Sequence, residues 1–203
     1  GNINTEDMEV FYKLINLAVL DLSETNITNI GGCHDLKMLR TVILPSTVTT
    51  VDTQAFSNCL SLKSINVPNV TTVANNAFYN CHSLASIETP NVETIGNNAF
   101  YYCYTLNSID LPNVESIGAQ AFYYCYNLTS VNAPNLVTLG GNNNSGNGIF
   151  EYCERLSSVT LSDNITSIPY RCFQYCSSLK EIVLPNSLTS IANYAFSYSA
   201  LTD

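Results

Sequence analysis

Short runs of alternating apolar and polar residues recur along the chain at a nearly constant interval. Two clear examples are Ser64-Ile65-Asn66-Val67-Pro68 and Ser108-Ile109-Asp110-Leu111-Pro112. This alternation is typical of a short β-strand with one buried side, and proline ends such a strand because it has no N–H to donate. The pattern predicts eight strands, centred near Leu20–Leu22, Val42–Leu44, Ile65–Val67, Ile87–Thr89, Ile109–Leu111, Val131–Ala133, Val159–Leu161 and Ile182–Leu184.

The apolar residues between these strands follow the same period. Phenylalanine recurs at positions 56, 78, 100, 122, 150, 173 and 196, in steps of 22, 22, 22, 28, 23 and 23 residues. A cysteine stands three residues after each of the first six, and a leucine stands six residues after each. The consensus is A-F-x-x-C-x-x-L-x-x-I-x-L-P-N-V-x-x-I, which explains why the hexamer AFYYCY occurs twice, 22 residues apart.

A unit of about 22 residues is too small to bury its own apolar side, so successive units must stack and share a core. We expect the Phe, Cys, Leu and strand Ile/Val positions to point inward. Residues 1–16 contain Thr5-Glu6-Asp7 followed by spaced apolar residues, which predicts a capping helix over the first coil. Residues 17–203 form the predicted solenoid, and the Gly- and Asn-rich segment 140–147 is an inserted surface loop.

The A-F-x-x-C-x-x-L-x-x-I-x-L-P unit resembles the BspA-type leucine-rich repeats of surface proteins from bacteria and some mucosal protozoa. The resemblance covers about residues 36–203. It implies an α/β-type, right-handed leucine-rich repeat solenoid with short parallel strands on one face and about eight coils of 22–23 residues. It also implies exposure at the cell surface, binding of host or neighbouring-cell proteins, and no catalytic residues.

Composition further limits the classes of partner that the protein is expected to bind. Charged residues make up only 11% of the chain, and the formal net charge is −9. Nucleic acids and anionic membranes both require a cationic surface, so neither is an expected partner. No apolar run approaches the roughly 20 residues of a membrane-spanning helix, so this segment is not expected to insert directly into a membrane. A surface rich in amides and hydroxyls favours an extracellular or cell-surface location.

The eight cysteines raise the alternatives of disulfides, metal ligands and buried free thiols. Six of them recur at one inward position, and side chains on stacked coils lie further apart than a disulfide prefers. We therefore expect free thiols, with a bridge between Cys172 and Cys176 as the alternative. His34 and His82 are isolated and no C-x-x-C occurs, so no metal site and no cofactor is predicted.

Acidic residues form two pairs in consecutive coils: Glu88 with Asp110, and Glu93 with Glu115. An open sheet side lacks the enclosure that would tune a catalytic carboxyl group, so these residues predict a binding surface and no catalysis. We expect a basic segment of a protein partner to lie across the fourth and fifth coils. Such a segment would also contact the outward serines Ser86, Ser108 and Ser130.

A row of tyrosines offers an alternative binding site. Its members stand two residues after successive phenylalanines: Tyr102, Tyr124, Tyr152, Tyr175 and Tyr198. Tyrosine is favoured at recognition surfaces, and a glycan is the partner that an aromatic platform would suggest. The structural alternative is stacking between coils. The sequence therefore predicts a non-catalytic, adhesin-like recognition module, with a carbohydrate-binding protein or a spacer that displays another domain as alternatives.

Overall fold

The computed structural model of the protein describes residues 11–141 and 146–202. In this part the chain winds as a stack of parallel coils, and most coils contain two short strands. The first strand of each coil has three residues: β1 (Val19–Asp21), β3 (Thr41–Ile43), β5 (Ser64–Asn66), β7 (Ser86–Glu88), β9 (Ser108–Asp110), β11 (Ser130–Asn132) and β13 (Ser158–Thr160). The second has two: β2 (Asn29–Ile30), β4 (Thr50–Val51), β6 (Thr72–Val73), β8 (Thr94–Ile95), β10 (Ser116–Ile117), β12 (Thr138–Leu139), β14 (Ser167–Ile168) and β15 (Ser190–Ile191).

Every strand pairs in parallel with the equivalent strand of a neighbouring coil. In the first row, β1, β3, β5 and β7 form one sheet, and β9, β11 and β13 form another. In the second row, β2 to β12 form a continuous six-stranded sheet, and β14 pairs with β15. The register follows the repeat, since Ser64 lies opposite Ser86 and Ser108 lies opposite Ser130.

Seven of the eight predicted strands are present, each beginning and ending one residue earlier than predicted. The eighth, at Ile182–Leu184, is wrong: this segment is not a strand, and Val183 is 86% exposed. The second row of strands was not predicted, because two residues are too few for alternation to be visible.

The core consists of columns of identical residues that run along the stack. Phe56, Phe78, Phe100, Phe122, Phe150 and Phe173 are buried, as are the Leu and Cys residues that follow them. Successive phenylalanine rings are stacked with centroids 5.2–5.5 Å apart and planes within 10° of parallel. The predicted inward register is therefore confirmed.

The return segments of the coils are not α-helical, which corrects the α/β part of the predicted fold class. In the described residues the one helix is the 3-10 helix Phe11–Lys13. The physical reason is that two positions in most coils have left-handed backbone conformations. In the fifth coil these are Asn98, with φ of +54°, and Tyr102, with φ of +61°. A right-handed helix cannot pass through such residues.

The thiols are buried and free, as expected, and no bridge joins Cys172 to Cys176. Each thiol in the cysteine column from Cys81 onward donates to the carbonyl oxygen of a phenylalanine in the preceding coil, at 3.1–3.2 Å. Burial raises the pKa of every one of the eight thiols. The cysteines are therefore hydrogen-bonded core residues, and thiolate chemistry is disfavoured.

Two predicted segments fall partly outside the described residues. Of the predicted capping helix at residues 1–16, residues 1–10 are not described, Phe11 packs partly against the core, and Leu14 and Ile15 are exposed. Of the inserted loop at 140–147, residues 142–145 are not described. The second row of strands is interrupted at this insertion, between β12 and β14.

Candidate functional site

The strongest candidate site lies on the first strand row, where the row divides between β7 and β9. A groove of about 400 Å³ is present at this seam, and we call it the β7–β9 groove. Its lining residues are Ser86, Ile87, Glu88, Thr89, Pro90, Ser108, Asp110 and Pro112. The sequence-predicted residues Glu88, Asp110, Ser86 and Ser108 thus lie together, on outward positions of two adjacent coils.

The carboxylate of Asp110 is held from one side by the next coil. Asn132 Nδ2 donates to Asp110 Oδ1 at 2.9 Å. Ser130, the third predicted serine, lies on the same strand as Asn132 and opposite Ser108, but it does not line the groove. Glu88 lies opposite Asn66 and also lines a smaller depression of about 250 Å³ between β5 and β7. Both carboxylates are therefore on the surface and within reach of a ligand.

Glu93 and Glu115 line a different groove, on the turn that follows each proline. This asparagine groove has a volume of about 580 Å³, and its amide-bearing residues are Asn69, Asn91, Asn113, Asn135 and Asn164. Four of these asparagines donate from Nδ2 to a carbonyl oxygen of the preceding coil, at 2.6–2.7 Å. These bonds tie each turn to the preceding coil, so the four amides have a structural role. The four predicted acidic residues are thus divided between two grooves.

Tyrosines cover a third surface, on the turns that follow the phenylalanines. We call it the tyrosine surface, and it comprises Tyr79, Tyr101, Tyr102, Tyr104, Tyr123, Tyr124, Tyr126, Tyr152, Tyr175 and Tyr198. The predicted row is one of its columns, with centroids 5.1 Å apart from Tyr102 to Tyr124 and 4.3–4.7 Å apart from there to Tyr198. Burial and neighbouring phenol groups raise the pKa of Tyr152 and Tyr175.

The stacking determines what this row can offer a ligand. Tyr152 and Tyr175 are each stacked between two other rings of the row, whereas Tyr102 is tilted by 44° against Tyr124. A sugar that stacks on an aromatic side chain needs an open ring face, so Tyr152 and Tyr175 present edges and hydroxyl groups instead. At the end of the row, Tyr198 is 69% exposed and stacks on Tyr175 alone.

Every tyrosine of this row has a left-handed backbone, with φ between +58° and +64°. This conformation disfavours a bulky side chain by roughly 1–2 kcal/mol, whereas asparagine tolerates it better. Asn58 and Asn80 occupy the same position in earlier coils, with φ of +60° and +64°. A stacked aromatic pair contributes roughly 0.5–1.5 kcal/mol, so the stacking offsets the strain without a large surplus.

A buried carboxylate follows the last ring of a second tyrosine column. Tyr79, Tyr101 and Tyr123 stack at 5.0 and 4.7 Å, but the next coil has Glu151 at this position. Glu151 is 2% exposed, accepts from the Gly148 N–H at 2.8 Å and lies 3.8 Å from Arg171 Nη1. Burial raises the pKa of Glu151, and the Gly148 N–H and Arg171 oppose that increase.

Sequence reasoning missed three features of these surfaces. The column Tyr79, Tyr101 and Tyr123 has the same 22-residue spacing and could have been found. The ring of His82 packs against that of Tyr104, with centroids 4.7 Å apart, so His82 adjoins the tyrosine surface. Thr89 is a polar residue at the inward position after a first-row strand, where the other coils have an apolar residue. That difference was the only sign of its importance in the sequence.

Neither a metal site nor a spanning helix is found in the part of the chain that the structure describes. There, no three His, Cys, Asp or Glu side chains come together as metal ligands would. Across residues 11–141 and 146–202, no helix combines the length and the apolar character needed to cross a bilayer.

The repeat pattern, the paired strand rows and the core columns agree with a match to a family model. The model describes a BspA type leucine-rich repeat region, and it matches six copies over residues 32–145 and 93–203. The chain belongs to the BspA-type leucine-rich repeat family. The family resemblance seen in the sequence and the predicted solenoid fold are therefore confirmed. No curated protein matches the sequence significantly.

Three bacterial proteins of solved structure are similar to this chain. A leucine-rich repeat protein from Bacteroides ovatus is 29% identical, with a TM-score of 0.79 over 90% of this chain and 50% of its own. One from Eubacterium ventriosum is 25% identical, with a TM-score of 0.66 over 91% of this chain and 59% of its own. A leucine rich cell surface protein from Faecalibacterium prausnitzii is 27% identical, with a TM-score of 0.53 over 93% of this chain and 53% of its own.

This chain thus spans between half and three fifths of the length of these proteins. Its family is one of leucine-rich repeat surface proteins, and its fold is compatible with a module for interaction. Repeat families of this kind are typically non-catalytic.

Proposed function

We propose that this BspA-type solenoid is a non-catalytic recognition module at the cell surface, and that it binds a basic segment of a protein partner in the β7–β9 groove. The observation that carries the proposal is the groove itself. It brings Glu88 and Asp110 together with outward serine hydroxyls, on a chain whose net charge is −9. The Faecalibacterium protein described as a cell surface protein supports the location.

Charge and shape both favour a lysine- or arginine-containing segment. Carboxylates form their strongest hydrogen bonds with ammonium and guanidinium groups, and serine hydroxyls can accept the remaining donors. Pro90 and Pro112 supply apolar walls on which the aliphatic part of a long basic side chain can pack. An anionic or nucleic-acid partner would meet repulsion instead.

The strand row alone is too small for tight binding of a folded protein. Seven strands at about 5 Å spacing and about 10 Å width give roughly 350 Å², against about 800 Å² per partner in a standard interface. An extended segment that crosses the groove fits this area better. The flanking turns would supply the remaining contacts of a larger partner.

The absence of catalysis in this proposal follows from the buried, protonated thiols and from the open position of the carboxylates. The tyrosine surface is a weaker candidate for a glycan, because neighbouring rings cover both faces of Tyr152 and of Tyr175. A spacer that binds no ligand would give no functional reason for the division of the first strand row between β7 and β9.

The test measures binding of a fluorescent octalysine peptide by anisotropy, with octaglutamate as the probe of opposite charge. We expect octalysine to bind, octaglutamate not to bind, and the affinity to fall as salt is raised, because exposed pairs are screened over about 8–10 Å. The double substitution Glu88→Lys and Asp110→Lys should abolish binding at low salt.

The matched control is Glu93→Lys with Glu115→Lys, which makes the same change of charge in the asparagine groove. This control should keep most of the affinity. Loss of binding in the control alone would move the site to the asparagine groove. No binding of either peptide by the unmodified protein would favour the spacer.

A further inference from the structure

The inward position directly after each first-row strand is apolar in all coils but one. Its occupants after the seven strands are Leu22, Leu44, Val67, Thr89, Leu111, Ala133 and Leu161. Thr89 is as buried as Leu22, Val67, Leu111 and Ala133, with 3% of its surface exposed. A buried hydroxyl group destabilises the fold unless it has a hydrogen-bond partner. Thr89 therefore needs such a partner inside an otherwise apolar column.

The partner of the Thr89 hydroxyl is a main-chain group of the next coil. Its Oγ1 donates to the carbonyl oxygen of Asp110 at 2.7 Å. At other coil junctions the equivalent carbonyl accepts a backbone N–H: Leu22 donates to Ile43 at 2.8 Å, Leu111 to Asn132 at 2.9 Å and Ala133 to Thr160 at 3.2 Å. The carbonyl of Asp110 is thus used by a side chain, where those of Ile43, Asn132 and Thr160 bond to the main chain.

The first strand row divides at this same junction. Pairing is continuous from β1 to β7 and from β9 to β13, but no strand pairing joins β7 to β9 within the described residues. The second row remains continuous here, because β8 pairs with both β6 and β10. The coils therefore stay stacked while the strand side opens, and the β7–β9 groove lies along the opening.

We propose that Thr89 is the positioning residue of the binding site: its buried hydroxyl, bonded to the Asp110 carbonyl, keeps β7 and β9 unpaired and thereby forms the groove that receives a basic segment. The role of the groove in binding rests on the proposed function, whereas the role of Thr89 in parting the strands does not. Unpaired strand edges supply main-chain donors and acceptors that an extended peptide can use. Glu88 and Asp110 then supply the charge.

Thr89→Val is the decisive variant, because valine has nearly the same shape and already occupies this position as Val67. Without a hydroxyl, the Asp110 carbonyl becomes available to the main chain of the preceding coil. We expect β7 to pair with β9, so that amide hydrogen exchange at Asp110 and neighbouring strand residues slows by about tenfold or more. Octalysine affinity should fall by about tenfold, since both carboxylates remain but the groove closes.

Thr89→Ser is the matched control, because it keeps the hydroxyl and should keep both the fast exchange and the affinity. A merely structural role for Thr89 would leave octalysine binding the same in both variants after correction for stability. Unchanged amide exchange in a folded Thr89→Val protein would overturn the proposal. If the unmodified protein does not bind octalysine, the proposed function fails, and hydrogen exchange alone still decides whether Thr89 parts the strands.

Discussion

The strand side and the tyrosine surface each contain a buried polar residue that follows apolar or aromatic residues in its column, and the two residues have different surroundings. Thr89 replaces an apolar residue on the strand side, and the neighbouring strands are unpaired there. Glu151 replaces a tyrosine on the other side, but its carboxylate is satisfied within the fold by the Gly148 N–H and lies near Arg171.

The difference lies in the main-chain group to which each polar side chain forms its hydrogen bond. Thr89 bonds to the Asp110 carbonyl, whereas the equivalent carbonyls of Ile43, Asn132 and Thr160 accept backbone N–H groups of the preceding coil, so its bond coincides with the missing pairing of β7 and β9. Glu151 takes the N–H of Gly148, next to the insertion, where the second strand row is already interrupted. Of these two buried polar residues, only Thr89 bonds to a carbonyl at a coil junction where strand pairing is missing.

The largest effect that we expect comes from the core shared by both sides. Phe100 is fully buried and stacks on Phe78 at 5.3 Å and on Phe122 at 5.2 Å. Phe100→Ala should lower the free energy of unfolding by about 3–5 kcal/mol, because it leaves a cavity between two coils. Chemical denaturation measures this change, and exposed Ser108→Ala is the control. A loss under about 1 kcal/mol would mean that the phenylalanine column is not the main support.

The buried carboxylate on the tyrosine side should have an intermediate effect. Glu151→Ala leaves the buried Gly148 N–H without its acceptor and Arg171 without its nearest carboxylate, so we expect a loss of about 1–3 kcal/mol. Glu151→Gln keeps a carbonyl acceptor and should lose less. Thermal melts of the two variants, side by side, measure the difference. Equal stability of both variants would show that the charge, and not the bond to Gly148, is what matters.

The smallest effect should come from the tyrosine row itself. Tyr198→Asn removes one stacked contact, at 4.7 Å from Tyr175, and relieves a left-handed tyrosine with φ of +60°. The two contributions oppose each other, so stability should change by no more than about 1 kcal/mol. Tyr198→Phe keeps both the stacking and the strain and serves as the control. A loss above about 2 kcal/mol would show that stacking outweighs the strain.

Sequence reasoning succeeded where one residue type is required at the same register in every coil. Phe100, Cys103 and Leu106 could be placed in the core because burial imposes the same demand each time the chain returns. Glu88 and Asp110 could be placed next to each other for the same reason, since their strand positions are equivalent.

The remaining features depend on exceptions to the repeat or on geometry that side-chain types do not reveal. Tyr102 gives no sign of a left-handed backbone, because tyrosine is not typical of that conformation. The division of the strand row depends on the single residue Thr89 and on which acceptor its hydroxyl finds. The separation of Glu93 and Glu115 from Glu88 and Asp110 depends on the turn at each proline, which assigns the two pairs to different grooves.

The spacing of the hydrogen bonds between coils also bears on how such a protein can change its length. Asn91 reaches Pro68, and Asn113 reaches Pro90, each across 23 residues. Because each coil bonds mainly to its immediate neighbours, a duplicated or deleted repeat unit of 22 or 23 residues would bring equivalent residues face to face again. Unequal recombination between units could therefore lengthen or shorten the protein while the fold of every remaining coil stays the same.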